Sequence, residues 1–246
     1  MSSTHPIRLL VNGATGRVGH RLIALACADP RFRVVAGVSR NRPTSGIAWT
    51  WAAPEDARRF AADTDVIVDF SSPMGAMHAA ELTRECGAAL LVGTTGLAID
   101  QLDSLRVSTA TRSAVLVAPN TSPGVAALAA VAADLARRLG PGYQASIMES
   151  HHAAKKDAPS GTALRLARAV RGAGGELTDA NIVSVRSGDV VGEHTIRLAG
   201  PGEYLELTHR ATTRDLFAHG ALRAALALAG RAPGWYTIED VLTAAT

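Results

Sequence analysis

The most informative segment for the fold lies near the start of the chain and reads Ile7-Arg8-Leu9-Leu10-Val11-Asn12-Gly13-Ala14-Thr15-Gly16-Arg17-Val18-Gly19. A short apolar strand pattern runs into a Gly-x-x-Gly-x-x-Gly turn, and an amphipathic helix pattern follows over Val18–Ala28. In such a turn Gly13 permits the tight bend, Gly16 lets the backbone approach a pyrophosphate, and Gly19 permits close packing of helix on strand. The N–H groups at the helix start then face the anion. The stretch predicts a dinucleotide-binding turn; the alternative is a glycine-rich turn with only a structural role.

Strand-like and helix-like stretches alternate through the first 120 residues. The further predicted strands are Arg33–Val38, Asp65–Phe70, Ala88–Val92 and Ala114–Ala118; the predicted helices are a short one from Pro54, then Pro73–Cys86 and Ile99–Thr111. Because helices of this length separate the strands, right-handed crossovers and a parallel sheet are expected. The strands are almost continuously apolar, as in strands covered on both faces. The sequence therefore predicts a Rossmann-like α/β domain with a doubly wound parallel sheet.

The pattern changes after Asn120, where strands follow one another without long helices between them. The predicted helices are Gly124–Leu139, Thr162–Arg171, Arg214–Ala229 and a last turn at Ile238–Leu242; the predicted strands are Tyr143–Glu149, Asn181–Arg186, Val191–Leu198 and Tyr204–Arg210, with a polar loop at His151–Pro159. Short connections favour antiparallel pairing. We predict a second α+β domain with a mixed, largely antiparallel sheet, and a tail that packs back on the first domain. Residues 1–122 with 215–246 form the expected dinucleotide-binding domain, and 123–214 the substrate-binding and oligomerisation domain.

Length and composition exclude several classes of protein. The chain has 246 residues, 47% hydrophobic and 19% charged, as in an ordinary globular protein. It has no apolar run of the ~18 residues that span a bilayer, and its N-terminus lacks a signal-peptide layout. Cys27 and Cys86 are too few for a disulfide framework, and their spacing fits no metal site. With a net charge of +3 and dispersed arginines, we expect a cytoplasmic protein with no metal, membrane or nucleic-acid partner.

The end of the second predicted strand indicates which dinucleotide is bound. An acid commonly stands there to bind the ribose of NADH, but this chain has Ser39 followed by Arg40. A carboxylate would repel a 2′-phosphate, whereas Ser39, Arg40 and the Arg17 of the glycine turn can bind one. We therefore expect NADPH to be used at least as well as NADH. The alternative is that Arg40 and Arg42 are solvated loop charges.

Two further turns follow predicted strands at the edge where open α/β sheets bind ligands. They are Gly93-Thr94-Thr95-Gly96 and Ala118-Pro119-Asn120-Thr121, whose hydroxyl, amide and backbone groups suit the nicotinamide ribose and carboxamide. The candidate cofactor-binding residues are therefore Gly13, Ala14, Thr15, Gly16, Arg17, Val18, Ser39, Arg40, Gly93, Thr94, Thr95, Ala118, Pro119, Asn120 and Thr121.

A polar segment in the middle of the chain contains candidate substrate-binding and proton-donating residues. It reads Glu149-Ser150-His151-His152-Ala153-Ala154-Lys155-Lys156-Asp157-Ala158-Pro159-Ser160-Gly161-Thr162-Ala163. Ser160 is a good N-cap, and the N–H groups of Gly161 and Thr162 at the helix start suit a carboxylate. Lys155 and its neighbour are the only lysines beside 23 arginines, and Lys155 adds positive charge for the same anion. One of the paired histidines can deliver a proton near neutral pH. The segment predicts a site that binds an acidic substrate and protonates it.

Three other interpretations of this segment are open. The histidine pair can be a metal site, although no carboxylate or cysteine stands at a matching spacing. The segment can be a solvated charged loop with a helix cap. Lys155 can form a Schiff base, although a lysine beside another lysine in a polar loop gives no sign of desolvation, and a hydride cofactor needs no such adduct.

At these residues the chain resembles the dihydrodipicolinate reductase family, also called 4-hydroxy-tetrahydrodipicolinate reductase, which acts in the diaminopimelate route to lysine. The resemblance covers nearly the whole chain, and its middle segment is highly specific. The matching segments are Val11–Gly19, Val68–Ser71, Gly93–Gly96, Ala118–Asn120, His151–Ala163, Gly192–Thr195, His209–Ala211 and Phe217–Ala221.

The resemblance implies hydride transfer from a reduced nicotinamide to C4 of a cyclic unsaturated imine dicarboxylate. It implies that His151 is the proton donor and that Lys155 is the substrate anchor and catalytic partner. The candidate substrate-binding residues are Thr95, His152, Lys155, Ser160, Gly161 and Thr162. It further implies that two domains close over both ligands and that sheets of the second domain meet in a homotetramer.

The sequence departs from the family pattern in three places. Ser39 stands where the family often has an acid, which favours NADPH. Ala153 and Ala154 stand where many members carry a basic residue, and Gly172–Val190, in the region of the tetramer interface, is shorter than in many members. Two other functions are alternatives: a different amino-acid or sugar dehydrogenase on the same scaffold, and a nucleotide-sensing regulator without activity.

Overall fold

The computed structural model describes residues 5–44, 47–109 and 111–242. The described chain divides into two compact units. One comprises the residues up to Thr121 together with those from Asp215 onward, and the other comprises Ser122–Arg214. Each unit has a sheet and a hydrophobic core of its own.

The strands and helices have the following bounds. The described strands are β1 (Ile7–Asn12), β2 (Phe32–Val38), β3 (Trp51–Ala52), β4 (Val66–Asp69), β5 (Ala89–Val92), β6 (Ala114–Val117), β7 (Gln144–His151), β8 (Ile182–Arg186), β9 (Gly192–Gly200), β10 (Glu203–Ala211) and β11 (Gly234–Tyr236). The described α-helices are α1 (Arg17–Ala28), α2 (Pro73–Cys86), α3 (Ile99–Thr109), α4 (Pro123–Leu139), α5 (Gly161–Gly172), α6 (Asp215–Leu228) and α7 (Ile238–Leu242). Short 3₁₀-helices occupy Pro54–Asp63 and Asp179–Asn181.

The first unit is built on a seven-stranded sheet in the order β11-β6-β5-β4-β1-β2-β3, and every described pairing in it is parallel. The predicted doubly wound α/β domain is therefore confirmed. The sequence analysis missed β3 and β11, because two or three residues are too few to show a strand period. It also extended α3 to Thr111, whereas the helix ends at Thr109 and Thr111 lies in a turn; residue 110 lies outside the described residues.

Sequence signals explain where the helices of this unit begin and how they pack. Ser72 caps α2 by accepting a hydrogen bond from the N–H of Gly75, and Pro73 occupies the first helical position. Alanines of α2 pack on Leu10, Ile67 and Leu90 of the sheet, since small side chains allow a helix to approach the strands closely. The predicted return of the tail is confirmed, because α6 packs beside α1 and β11 extends the sheet.

The chain reverses its direction of winding between β1 and β4. From β1 it proceeds outward through β2 and β3, then returns to the other side of β1 and continues through β4, β5 and β6. Open parallel sheets bind ligands outside the carboxyl ends of the strands at such a switch point. Asn12 and Asp69, the last residues of β1 and β4, are register partners at that position.

The second unit is a four-stranded sheet in the order β10-β9-β7-β8, with α4 and α5 packed on one face. The predicted mixed, largely antiparallel sheet is confirmed, because among the described strand pairs of this sheet β7 with β8 is the parallel one. One detail was wrong: the strand β8 does not pair with its successor β9, and instead crosses to the far side of β7. The predicted loop at His151–Pro159 also starts one residue too early, because β7 continues through His151, which pairs in register with Arg186.

No helix in the described ranges combines the length and the apolar character that a bilayer crossing requires.

Candidate functional site

The glycine turn of the first unit has the geometry that its residue types predict. Gly13 has a φ of +82°, and a Cβ added there would lie 2.2 Å from the carbonyl oxygen of Phe70. A Cβ on Gly19 would lie 2.2 Å from the carbonyl oxygen of Gly13, so that the first turn of α1 contacts the turn directly. Gly16 precedes α1 and offers no side chain to cap it. The N–H groups at the start of this helix are thus presented by the backbone alone, which fits a pyrophosphate.

A buried carboxylate ties this turn to the neighbouring loops. Asp69 is fully buried and accepts hydrogen bonds from Asn12 Nδ2 (2.8 Å), Ser71 Oγ (2.5 Å) and Thr94 Oγ1 (2.5 Å). Burial raises the pKa of Asp69, and the three hydrogen bonds only partly oppose that rise. The sequence analysis gave Asp69 no role, although an acid within an apolar strand pattern is itself a signal of a buried network.

The end of β2 places the predicted 2′-phosphate residues in different surroundings. Ser39 is buried; its hydroxyl donates to the carbonyl oxygen of Asn41 and accepts from Trp51 Nε1. Arg42 lies over the Trp51 ring, 5.7 Å from its centroid. Arg40 and the Arg17 of α1 are exposed. Arg42 is exposed as well, so a phosphate can reach all three guanidinium groups, whereas the Ser39 hydroxyl is already hydrogen-bonded within the fold.

In the two turns after β5 and β6, some of the threonine hydroxyls form hydrogen bonds within the fold. Thr94 Oγ1 donates to Asp69 and accepts from Ser71 N, and Thr121 Oγ1 donates to the carbonyl oxygen of Phe217 at 2.7 Å. Thr95 and Pro119 are exposed. Contacts from Thr94 and Thr121 to a ligand would therefore come from their backbone groups, and contacts from Thr95 can come from its side chain.

In the second unit, the inner face of the sheet carries a cluster of ionisable side chains at one end. Glu149 and His151 lie two residues apart on β7, so their side chains point to the same face. His151 Nδ1 is hydrogen-bonded to Glu149 Oε2. Arg186 on β8 donates from Nη1 to Oε2 at 3.0 Å and from Nη2 to Oε1 at 2.7 Å. Glu149 is therefore a fully buried anion held between an imidazole and a guanidinium.

The same carboxylate contacts the start of α5. The N–H of Ser160 donates to Glu149 Oε1 at 3.2 Å, and Ser160 Oγ accepts from the N–H of Ala163 at 3.1 Å, so the predicted N-cap is present. Gly161 and Thr162 form the first turn of this helix. Glu149 thus links His151 to the start of α5, because it is hydrogen-bonded to both. The sequence analysis did not predict this link.

Lys155 lies in the loop between β7 and α5. Its side chain is about one-fifth exposed (22%), and Nζ donates to Asp157 Oδ1 at 2.8 Å. Arg186 Nη2 donates to the carbonyl oxygen of Asp157 at 2.5 Å, which fixes the loop that carries Lys155 to the buried pair. His152 is half-buried and Lys156 is exposed.

Two further histidines continue the cluster across the sheet. The rings of His151 and His194 are 5.1 Å apart, and those of His194 and His209 are 6.4 Å apart. His194 Nε2 lies 3.4 Å from Ser160 Oγ, and His209 Nε2 lies 3.4 Å from Ser122 Oγ. Burial, with the nearby charge of His151, lowers the pKa of His194 to about 4, so this ring is neutral at pH 7.

The pKa values of the central pair follow from their surroundings. Burial acts to raise the pKa of Glu149, but the hydrogen bonds from Arg186, Ser184 and His151 outweigh it and lower the value to about 2. Burial lowers the pKa of His151, and the contact with Glu149 opposes that effect. Glu149 therefore stays charged at neutral pH, while His151 can gain or lose a proton.

A metal site is the alternative use of this cluster. Contrary to the sequence analysis, a carboxylate does stand beside the histidine pair, and single ligand atoms of Glu149, His151 and His194 lie within 4.8 Å of one another. However, Arg186 donates to both oxygens of Glu149. A guanidinium in that position already compensates the carboxylate charge and opposes a second cation.

The residues that the sequence analysis missed here are Glu149, Arg186, His194 and His209. Glu149 could have been found, because period two places it on the same strand face as His151. Arg186, His194 and His209 come from other strands, whose register is not visible in a single sequence.

Comparison with known proteins gives consistent matches over both units. The family models for the N-terminus and the C-terminus of dihydrodipicolinate reductase match residues 7–121 and 124–242. The 4-hydroxy-tetrahydrodipicolinate reductase of Stenotrophomonas maltophilia strain R551-3 is 44% identical, covering 96% of this chain and 98% of the relative. That of Myxococcus xanthus strain DK1622 is 42% identical, covering 96% and 97%.

A solved structure shares the fold. The dipicolinate-bound dihydrodipicolinate reductase from Paenisporosarcina sp. TG-14 superposes with a TM-score of 0.78 at 20% identity, covering 94% of this chain and 97% of that chain.

Proposed function

The chain belongs to the dihydrodipicolinate reductase family, and from this premise we propose that it reduces 4-hydroxy-tetrahydrodipicolinate to tetrahydrodipicolinate in the biosynthesis of diaminopimelate and lysine. It is an oxidoreductase with a Rossmann-type domain for a nicotinamide cofactor. A cytoplasmic location fits this biosynthetic role.

One observation carries the proposal: a single buried carboxylate, Glu149, contacts both a titratable imidazole and the start of a helix. The imidazole of His151 can deliver a proton. The first turn of α5, with Gly161 and Thr162, presents backbone N–H groups to an anion. A proton donor beside an anion site is what reduction of a carboxylated double bond requires.

The substrate is proposed to bind in the second unit through one of its two carboxylates. The N–H groups at the start of α5 and the ammonium group of Lys155 hold that carboxylate, with Ser160 capping the same helix. His152, next along the chain to the proton donor, contacts the substrate.

The reaction proceeds on the unsaturated imine that 4-hydroxy-tetrahydrodipicolinate forms by loss of water. A hydride adds to C4, and the electron pair of the ring double bond moves to give an enamine-like anion. Lys155 and the helix start stabilise the negative charge. His151 then transfers its proton from Nε2 to this anion, because Nδ1 faces Glu149.

The first unit is proposed to bind the cofactor at the glycine turn. The turn fits a pyrophosphate, since Gly13 and Gly19 leave no room for a Cβ and α1 begins without a side-chain cap. When bound, the reduced nicotinamide supplies the hydride. The turn residues from Gly13 to Val18 hold the pyrophosphate, Arg17 and Arg40 hold a 2′-phosphate, and the turns after β5 and β6 hold the nicotinamide half.

Replacing Arg40 by Ala is expected to weaken NADPH binding roughly tenfold or more and to leave NADH binding nearly unchanged, because a charge-assisted contact to phosphate is lost. Fluorescence titration of both cofactors measures this difference. Arg42→Ala is the control, because that guanidinium is equally exposed but lies over the Trp51 ring. Equal losses for the two cofactors would contradict the assignment of Arg40 to the 2′-phosphate.

The second unit is proposed to assemble a homotetramer through the outer face of its sheet. That face carries neighbouring exposed apolar side chains, namely Met148 (52% exposed), Val183 (53%) and Val185 (40%). Contiguous exposed apolar side chains on one sheet face are typical of a protein–protein interface. Assembly of four chains buries them.

Val183→Asp is expected to shift the protein from tetramer to smaller species in sedimentation equilibrium, because a carboxylate would be buried in the interface without a partner. Val107→Asp, at an exposed valine of α3, is the control and should leave the mass unchanged. A wild-type chain that sediments as a monomer at micromolar concentration would overturn the tetramer.

The proposed activity is tested by coupling the protein to the preceding synthase. Oxidation of NADPH should require the synthase, pyruvate and aspartate semialdehyde together, and omission of any one should stop it. Oxidation that instead follows an added sugar or amino acid, or no oxidation at all, would favour another dehydrogenase or a non-catalytic regulator and would overturn the proposal.

A further inference from the structure

We infer that Glu149 and Arg186 are a positioning pair for His151: they determine which ring nitrogen delivers the proton and over which pH range that proton is available. The inference rests on the proposed function, because it concerns the proton donor of that reaction. Neither residue is proposed to touch the substrate.

The geometry fixes the orientation of the imidazole. Glu149 is fully buried, and its Oε2 takes the Nδ1 side of His151. After His151 has given up its proton at Nε2, the remaining proton stays on Nδ1, which donates a hydrogen bond to Glu149 Oε2. The neutral ring is therefore held in the tautomer that follows proton delivery, and Nε2 is left as the delivering atom.

The other ring nitrogen has space beside it. A Cβ on Gly192 of β9 would lie 3.1 Å from His151 Nε2, so a side chain there would crowd the nitrogen that donates. Gly192 thus leaves space beside Nε2, while Glu149 is hydrogen-bonded to Nδ1 on the other side of the ring.

Arg186 prevents the carboxylate from acting as an uncompensated buried charge. It contacts both oxygens of Glu149 and also the carbonyl oxygens of Val185 and Asp157. A carboxylate without this partner would hold the proton on the imidazole more tightly. Glu149 therefore acts to raise the pKa of His151, and Arg186 acts to lower it.

The charged and titratable groups that face His151 come from each neighbouring element. Glu149 on β7 acts to raise its pKa; Lys155 in the following loop and Arg186 on β8 act to lower it; His194 on β9 lies against its ring. The ring of His209 on β10 lies next to that of His194, which lies between it and His151. The α5 residue nearest to the cluster, Ser160, is uncharged.

The test is to replace each member of the pair and measure the pKa of His151 by NMR titration of its ring in the cofactor-free protein. Glu149→Gln should lower that pKa by about one unit, because the neighbouring anion is lost. Arg186→Met should raise it, because a neighbouring cation is lost. Arg186→Lys keeps the charge and should leave the value close to that of the wild type.

The same variants have a kinetic signature that a merely structural role would not produce. Activity needs protonated His151, so turnover falls as pH rises through its pKa. In Glu149→Gln this fall should move to lower pH, with up to about a tenfold loss at pH 8, and in Arg186→Met it should move to higher pH. Glu85→Gln and Arg58→Met, the members of an exposed Arg–Glu pair in the first unit, are the controls and should leave the profile unchanged.

Different results would contradict the proposed function and the role of the Glu149–Arg186 pair. If the wild type does not turn over the substrate, the proposed function fails, and the NMR titration still reports on the pair. If the wild type is active but Glu149→Gln keeps the wild-type pKa of His151, or if both charge-removing variants shift it in the same direction, the inference is wrong. If Arg186→Met does not fold, Glu149→Gln and Arg186→Lys decide the question.

Discussion

Replacing His151 by Gln is expected to lower turnover by about 10²-fold or more while NADPH still binds with its wild-type affinity. The amide retains much of the shape and polarity of the ring but cannot donate a proton at neutral pH, and loss of a general acid typically has an effect of this size. His151 belongs to the second unit, whereas the proposed cofactor turn belongs to the first. Steady-state kinetics in the coupled assay, with fluorescence titration of NADPH, measures both quantities.

His78→Gln, a histidine of α2 in the first unit, is the matched control and should keep full turnover. If His151→Gln turns over as fast as the wild type, His151 is not the proton donor. If turnover and NADPH affinity fall together, the effect is on folding rather than on proton transfer.

Replacing Lys155 by Ala is expected to depress turnover and to raise the KM for the dicarboxylate, each by about tenfold or more. The ammonium group is proposed to hold a substrate carboxylate, and a charge-assisted contact at a partly buried position contributes on this order. Loss of the same charge also removes stabilisation of the anion formed during reduction, so both constants change. The coupled assay with varied synthase product measures them.

Lys156→Ala provides an unusually close control. The two lysines are adjacent in sequence, but Lys156 is exposed, whereas Lys155 is half-buried and paired with Asp157. The account expects the Lys156 variant to behave as the wild type. Equal effects of the two substitutions would indicate a general electrostatic attraction, and an unaltered response of Lys155→Ala to substrate would remove Lys155 from the site.

The first domain was largely predictable because local patterns determine a doubly wound sheet. Helices of sufficient length follow β1, β4 and β5, and right-handed crossovers then leave few arrangements. The glycine turn after β1 was predicted from three residues whose backbone conformation and packing require glycine or nearly so. Only the shortest strands, β3 and β11, lacked a readable pattern.

The second domain was less predictable because its strand order depends on contacts between distant segments. The short connection from β8 to β9 favoured direct pairing, but the structure places β7 between them. This arrangement is what brings Arg186 from one side and His194 from the other to the Glu149–His151 pair. The sequence predicted the proton donor and the anion-binding helix start as neighbours in one segment, but not the buried carboxylate that joins them.

The most direct test of the central claim is a crystal structure of the protein with pyridine-2,6-dicarboxylate, a planar dianion similar to the product. The account predicts one carboxylate against the N–H groups of Gly161 and Thr162 with Lys155 Nζ beside it, and the ring within reach of His151 Nε2. A dianion bound elsewhere, with no contact to the segment from His151 to Thr162, would contradict the account.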